Sequence, residues 1–288
     1  MIPREFDYHA PQSIHDALGL LERFGDEAKL LAGGHSLLPM MKLRFAQPAH
    51  LIDLARIPSL RGIRQEGGTL IVGAMTTEAE LIASPLVRSK VPLLAEGAAL
   101  IGDPQVRCKG TIGGDISHGD PGNDHPALMI ALDATFVLTG PKGERTVKAD
   151  GYFLGLYSTQ LAADEILTQI RIPIPAPGSG WSYQKLKRKT GDFATAASAV
   201  LLEMKATSVA RVAIALTNVG PTALKATAAE RSLIGKRLDE ASLEEAARLA
   251  MSICEPAPDQ RGDSAYKTAM CGEMTRRALQ AAAARAKA

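Results

Sequence analysis

The apolar positions of this chain change period several times, and the changes mark out its elements. Near the amino end, Ile14, Ala17, Leu18 and Leu21 recur at helical spacing behind a Ser13 cap with Asp16, until Gly25 stops the pattern. Lys29 to Ala32 then forms a short apolar run that reads as a buried strand, Ser36 caps a helix through Met41, and His50 to Leu54 reads as a further strand. Gly62 to Arg64 and Thr69 to Val72 flank Gly67-Gly68 as the arms of a hairpin, and helices are predicted over Glu78 to Ile82 and Pro92 to Leu100. Asp124-His125-Pro126 opens another helix through Leu132. Strands follow at Thr135 to Leu138, Arg145 to Val147 and Ile166 to Ile172.

The segment Pro173-Ile174-Pro175-Ala176-Pro177-Gly178-Ser179-Gly180 suits neither helix nor central strand, so the main boundary is placed there. Beyond it, Ser182 to Leu186, Ala197 to Glu203 and Arg211 to Leu216 predict a three-stranded sheet, followed by alanine-rich helices around 223 to 234, 241 to 253 and 264 to 286. The expectation is an α+β protein in three units: 1–54, 55–177 and 178–288. No internal repeat emerges.

Composition narrows the chemistry. With 288 residues, 46% of them hydrophobic, the chain can bury a large core, and no apolar run reaches the length of a membrane span. The start Met1-Ile2-Pro3-Arg4-Glu5 lacks a secretory pattern, which makes the cytoplasm the default location. Cys108, Cys254 and Cys271 are too scattered for a disulfide framework, a zinc site or an iron–sulfur cluster. A net charge of +2 argues against a nucleic-acid partner, and the basic run Lys185-Leu186-Lys187-Arg188-Lys189 has no interleaved aromatic residues.

Two glycine-paired segments each close an apolar run: Ala32-Gly33-Gly34-His35-Ser36 and Thr111-Ile112-Gly113-Gly114-Asp115. Adjacent glycines bring bare main-chain N–H groups within reach of phosphate oxygens, so together the segments look like two halves of a diphosphate cradle, which points to FAD. Neither fits the Rossmann or the P-loop fingerprint. His35 could serve a phosphate or flavin oxygen, or simply support its turn. His118, Asp120, Asp124 and His125 match no metal-ligand spacing, and no nucleophile has an identifiable base partner, so no catalytic side chain and no metal ligand is assigned.

Taken in order, Leu31 to Pro39, Thr111 to Asp115, Gly119 to Pro126 and Lys185 to Thr195 resemble the FAD-binding medium subunit of the molybdenum hydroxylase family, most closely its carbon-monoxide-oxidising branch. The resemblance implies a two-subdomain FAD-binding region of the vanillyl-alcohol-oxidase (PCMH) type, followed by a three-stranded antiparallel sheet with a helical bundle. It implies that Leu31, Ala32, Gly33, Gly34, His35, Ser36 and Leu37, with Thr111, Ile112, Gly113, Gly114 and Asp115, hold FAD, and that Ile101 and Asp124 line the same cleft. Leu161 and Lys185 would approach the isoalloxazine, and Phe193 would stand where relatives present another aromatic such as Tyr. It also implies partners: a small subunit with two [2Fe-2S] clusters and a large molybdopterin subunit, assembled as a dimer of heterotrimers. Electrons would reach FAD last and leave to a quinone-linked acceptor at the inner face of the membrane. The alternatives are a medium subunit serving xanthine, an aldehyde or an N-heterocycle, and a stand-alone FAD-dependent oxidoreductase.

Overall fold

The computed structural model describes residues 2–287; Met1 and Ala288, the outer limits of the expected first and last units, lie outside them. Alternation of buried and exposed positions builds three main sheets. The first is parallel and three-stranded, in the order Asp7–His9, His50–Asp53, Ala28–Leu31. Helix Ile14–Phe24 crosses between its strands, with Ser13 accepting from the Asp16 amide at the cap, and Ala17 and Leu21 turned into a core shared with Ile52 and Leu54. Parallel strands need such a crossover.

The second sheet is antiparallel and five-stranded, in the order Ile63–Glu66, Thr69–Gly73, Ile166–Pro173, Thr135–Gly140, Gly143–Lys148. Between its strands run short helices, of which Glu78–Ala83 starts with a reciprocal Thr77–Glu80 capping box. Sequence periodicity misses helices Pro85–Lys90 and Pro104–Arg107, strand Asp7–His9 and the hairpin Phe153–Gly155 with Ser158–Thr159. Each is too short to complete a hydrophobic repeat.

The last sheet corrects the expected three strands to four: Gly180–Leu186, Ala196–Lys205, Ser208–Thr217 and the two-residue strand Leu224–Lys225. Leu224 and Lys225 pair with Leu216 and Ala215, and two residues carry no readable alternation. This sheet is buried on both faces. Along its central strand, Ala197, Ala199 and Leu201 meet the core of the five-stranded region, whereas Ala196, Val200 and Leu202 meet the core beneath the carboxyl-terminal helices. One strand thereby joins two cores.

Helix Ser264–Arg285 lies so close to strand Gly180–Leu186 that a Cβ on Gly180 would stand 1.9 Å from the Ala282 carbonyl oxygen. The helix ends in a clasp. Arg285 Nη1 donates to Glu96 Oε2 and, at 2.8 Å, to the Trp181 carbonyl, with the guanidinium over the Trp181 ring, while Glu96 Oε1 accepts from the Tyr183 amide at 2.7 Å. Because the colliding atom belongs to backbone, Gly180→Ala is expected to cost about 1–3 kcal/mol. Thermal unfolding measures it, and an unchanged midpoint would contradict this contact.

Candidate FAD-binding cleft

The three sheet regions converge on a cleft of about 730 Å³. That volume lies within the usual range for small-molecule and cofactor sites. Of the residues that the resemblance assigns to FAD, all but two line it. Leu31 ends its strand half-buried beneath Gly34, and Ile112 is fully buried in the core.

The two glycine segments differ in what they offer an anion. In the first, strand Ala28–Leu31 gives way to a turn before helix Leu37–Lys42, Gly34 adopts φ +78°, and the N–H groups of Gly33, Gly34, His35, Ser36 and Leu37 find no acceptor among the described residues. Ser36 makes no side-chain cap. Successive unspent amides in a turn form a concave anion site. The second segment is helical rather than a loop. Thr111 caps helix Ile112–His118, and the amides of Ile112, Gly113, Gly114 and Asp115 already donate to Thr76 O, Ala74 O, Thr111 Oγ1 and Thr111 O.

The glycines of this cradle are needed because neighbouring chain lies where their side chains would stand. A Cβ on Gly33 would lie 2.3 Å from the Lys109 carbonyl oxygen, and one on Gly113 would lie 2.6 Å from the Ala74 carbonyl oxygen. A Cβ on Gly114 would meet Thr111 Oγ1 at 2.9 Å. The absent side chains leave room for main chain from elsewhere in the fold.

Two buried ion pairs stiffen the wall. Lys185 Nζ donates to Asp124 Oδ2 at 2.6 Å and to the Leu100 carbonyl at 3.2 Å, and Tyr183 donates its hydroxyl to the other Asp124 oxygen. Burial, then the Asp124 charge, hold the Tyr183 phenol well above its ordinary range. His125 Nε2 shares its proton between the Glu78 oxygens at 3.0 and 2.9 Å, with both side chains almost fully buried. Burial alone would lower the His125 pKa, but the Glu78 charge and hydrogen bond raise it to about 9. Asp124 and His125 therefore serve separate pairs, while His118 stacks on Tyr157 at 4.7 Å.

At the mouth, Phe193 is exposed and its amide donates to Asp192 Oδ1. Burial would raise the Asp192 carboxyl, but hydrogen bonds from Arg188 and Arg261 outweigh it and hold it at about 2. Arg261 also stands 5.5 Å from the Phe193 ring centroid. Sequence reading missed Tyr157, Ser158 and Thr159, which reach the cleft from the short hairpin, and Met40 and Glu78. Only Glu78 had a readable signal, as the first residue behind a Thr77 cap.

The cleft fits a flavin dinucleotide: free amides for the diphosphate on one wall, a neutral polar pair at Asp124 and Lys185, and apolar Ile101, Leu161 and Phe193. A family model described as the FAD-binding domain in molybdopterin dehydrogenase matches residues 4–175, and one described as the CO dehydrogenase flavoprotein C-terminal domain matches residues 181–282. The chain belongs to the FAD-binding medium subunits of the molybdenum hydroxylases. It is similar to the carbon monoxide dehydrogenase medium chain of Hydrogenophaga pseudoflava, with 60% identity over 99% of both chains, and to that of Afipia carboxidovorans, with 52% identity over 100% of both. A solved structure of carbon monoxide dehydrogenase from Hydrogenophaga pseudoflava superposes with a TM-score of 0.99 at 62% identity, covering 100% of each chain. Quinoline 2-oxidoreductase from Pseudomonas putida 86 superposes at 0.94 with 35% identity, covering 99% of each.

Gly33→Ala drives a methyl group into the Lys109 carbonyl and is expected to part the two segments, lowering stability by about 1–3 kcal/mol and flavin content with it. The ratio of flavin to protein absorbance checks the second effect. Asp124→Asn leaves the Lys185 ammonium buried without its counter-charge, at an expected cost of about 3–5 kcal/mol in denaturant unfolding.

Proposed function

We infer that the chain is the FAD-carrying, electron-transferring subunit of an aerobic carbon monoxide dehydrogenase, in which carbon monoxide and water yield carbon dioxide at a molybdenum centre in a partner. The observation carrying this reading is end-to-end likeness to carbon monoxide dehydrogenase medium chains, well above the likeness to relatives named for other substrates, such as the glyceraldehyde dehydrogenase medium chain at 35% identity. When bound, FAD supplies a store of two electrons that can be filled and emptied singly. The protein's task is to hold and tune that store.

In this reading the amides from Gly33 to Leu37 take the diphosphate, and Thr111 to Asp115 buttress them. Leu31 and Ile112 support the two segments from behind. Ile101, Leu161 and Phe193 keep water from the flavin, while Asp124 offers its remaining lone pairs to hydroxyl groups. Lys185 approaches the isoalloxazine with its charge already balanced by Asp124, so its influence on the flavin potential is weaker than that of a free ammonium. Phe193 shields the ring but donates no hydrogen bond.

We read residues 1–54 and 55–177 as two FAD-binding subdomains of the vanillyl-alcohol-oxidase (PCMH) type and 178–288 as the carboxyl-terminal unit. A small subunit with two [2Fe-2S] clusters and a large molybdopterin subunit complete a dimer of heterotrimers. It is cytoplasmic and passes electrons to a quinone-linked acceptor at the membrane's inner face. No helix of the described chain is long and apolar enough to cross a membrane. Native co-purification is expected to give a yellow-brown assembly holding FAD, iron and molybdenum that oxidises carbon monoxide in preference to xanthine, aldehydes and N-heterocycles. Full turnover by this polypeptide alone would reject the reading.

A further inference from the structure

Asp115 is a carboxylate of the cleft wall with no salt-bridged cation among the described residues. It sits in the first turn of helix Ile112–His118, and its Oδ1 is shut away from solvent without a hydrogen-bond partner among the described residues. Its carboxyl, the Glu78 carboxylate and a ring nitrogen of His125 form one cluster with facing atoms within 4.8 Å. The proton on His125 Nε2 is divided between the Glu78 oxygens, and His125 Nδ1 makes no hydrogen bond among the described residues, so neither ring nitrogen bonds the Asp115 carboxyl.

Among the charges that act on Asp115, no free cation remains. His125 balances Glu78, Lys185 balances Asp124, and Asp120 adds a further negative charge. The other titratable groups lining the cleft are Asp26, Lys29, His35, Tyr157, Glu165 and Asp192, together with His118, whose pKa is lowered by burial. Lys187, Lys189, Arg107 and Lys109 stand on neighbouring segments; none of them bonds the Asp115 carboxyl. The unspent amides beginning at Gly33 lie close by, since the Gly33 nitrogen is 4.0 Å from where a Cβ on Gly114 would stand. A diphosphate drawn to those amides brings two more negative charges beside Asp115. An ionised carboxylate there would be repelled, whereas a carboxylic acid can donate.

We propose that Asp115 enters the flavin complex as a neutral carboxylic acid whose O–H donates to the bound nucleotide, so that FAD binding draws one proton from solvent. The proposal rests on the FAD-subunit reading given above. Burial, opposed by His125 and reinforced by Glu78 and Asp124, already raises the Asp115 pKa to about 7 in the flavin-free protein, and a dianion beside it raises it further. Below about pH 7 the proton is in place and affinity is flat; above it the proton must be captured, and affinity falls by about tenfold per pH unit.

The test uses the native complex containing this chain, stripped of flavin and titrated with FAD from about pH 6 to about pH 8.5, across the window in which Asp115 changes charge. Flavin fluorescence reads affinity, and calorimetry in two buffers of different ionisation heat counts protons. The wild-type complex is expected to take up close to one proton at the alkaline end and to lose about tenfold in affinity per unit above pH 7. Asp115→Asn, neutral throughout and still a donor, is expected to bind with a flat profile and no proton uptake. Proton counting on the wild type decides the matter even if the variant folds poorly. Wild-type binding that takes up no proton, or a variant that keeps the wild-type slope, overturns the proposal while leaving the flavin reading intact. No binding at any pH overturns both.

Discussion

Everything in the cleft is referred to one contact between two stretches of main chain. Gly33 lies against Lys109 and Gly110 so closely that no side chain fits between them, although the two segments are far apart in sequence. This contact brings the first sheet region to the second and fixes where the free amides of Gly33 to Leu37 point. Backbone has few soft degrees of freedom once its hydrogen bonds are made. The amides from Ile112 to Asp115 are taken up by Thr76, Ala74 and Thr111, so this segment acts as an anvil and leaves the amides of the first for a ligand.

Charge follows the same economy. Two pairs of buried ionisable side chains stand in the wall, Glu78 with His125 and Asp124 with Lys185. Neither pair adds net charge to the site, and each ties distant parts of the chain together. Buried pairs of this kind are weak sources of stability but strict about geometry, because parting them leaves an unpaired charge in a poor solvent for ions. Their service here is to set the shape and polarity of a cofactor site without setting up a strong field in it.

The sequence made the glycine segments, Asp124, Lys185 and the mixed architecture legible, because glycine pairs, a helix-opening Asp-His-Pro and strand alternation are local signals. It did not reveal how those residues are used. That the amides of Ile112 and Gly113 are spent depends on Thr76 and Ala74, and that Lys185 is charge-balanced depends on a carboxylate contributed by another helix opening. Tyr157 reaches the cleft only through a hairpin of three- and two-residue strands, and the fourth strand of the last sheet is a two-residue bridge. Pattern reading fails at such lengths, and pairings across the chain leave no periodic trace.

The clasp made by Arg285 bears on the order in which the molecule can be finished. Strand Gly180–Leu186, which delivers Lys185 and Tyr183 to the cleft, is pinned to Glu96 by a residue from the last turn of the last helix. The earlier sheets are closed by contacts nearer in sequence, whereas this clasp is made only once helix Ser264–Arg285 has packed. Completion of the cofactor cleft is thereby tied to helix Ser264–Arg285, and a polypeptide clipped ahead of that helix lacks the contacts that pin its far side.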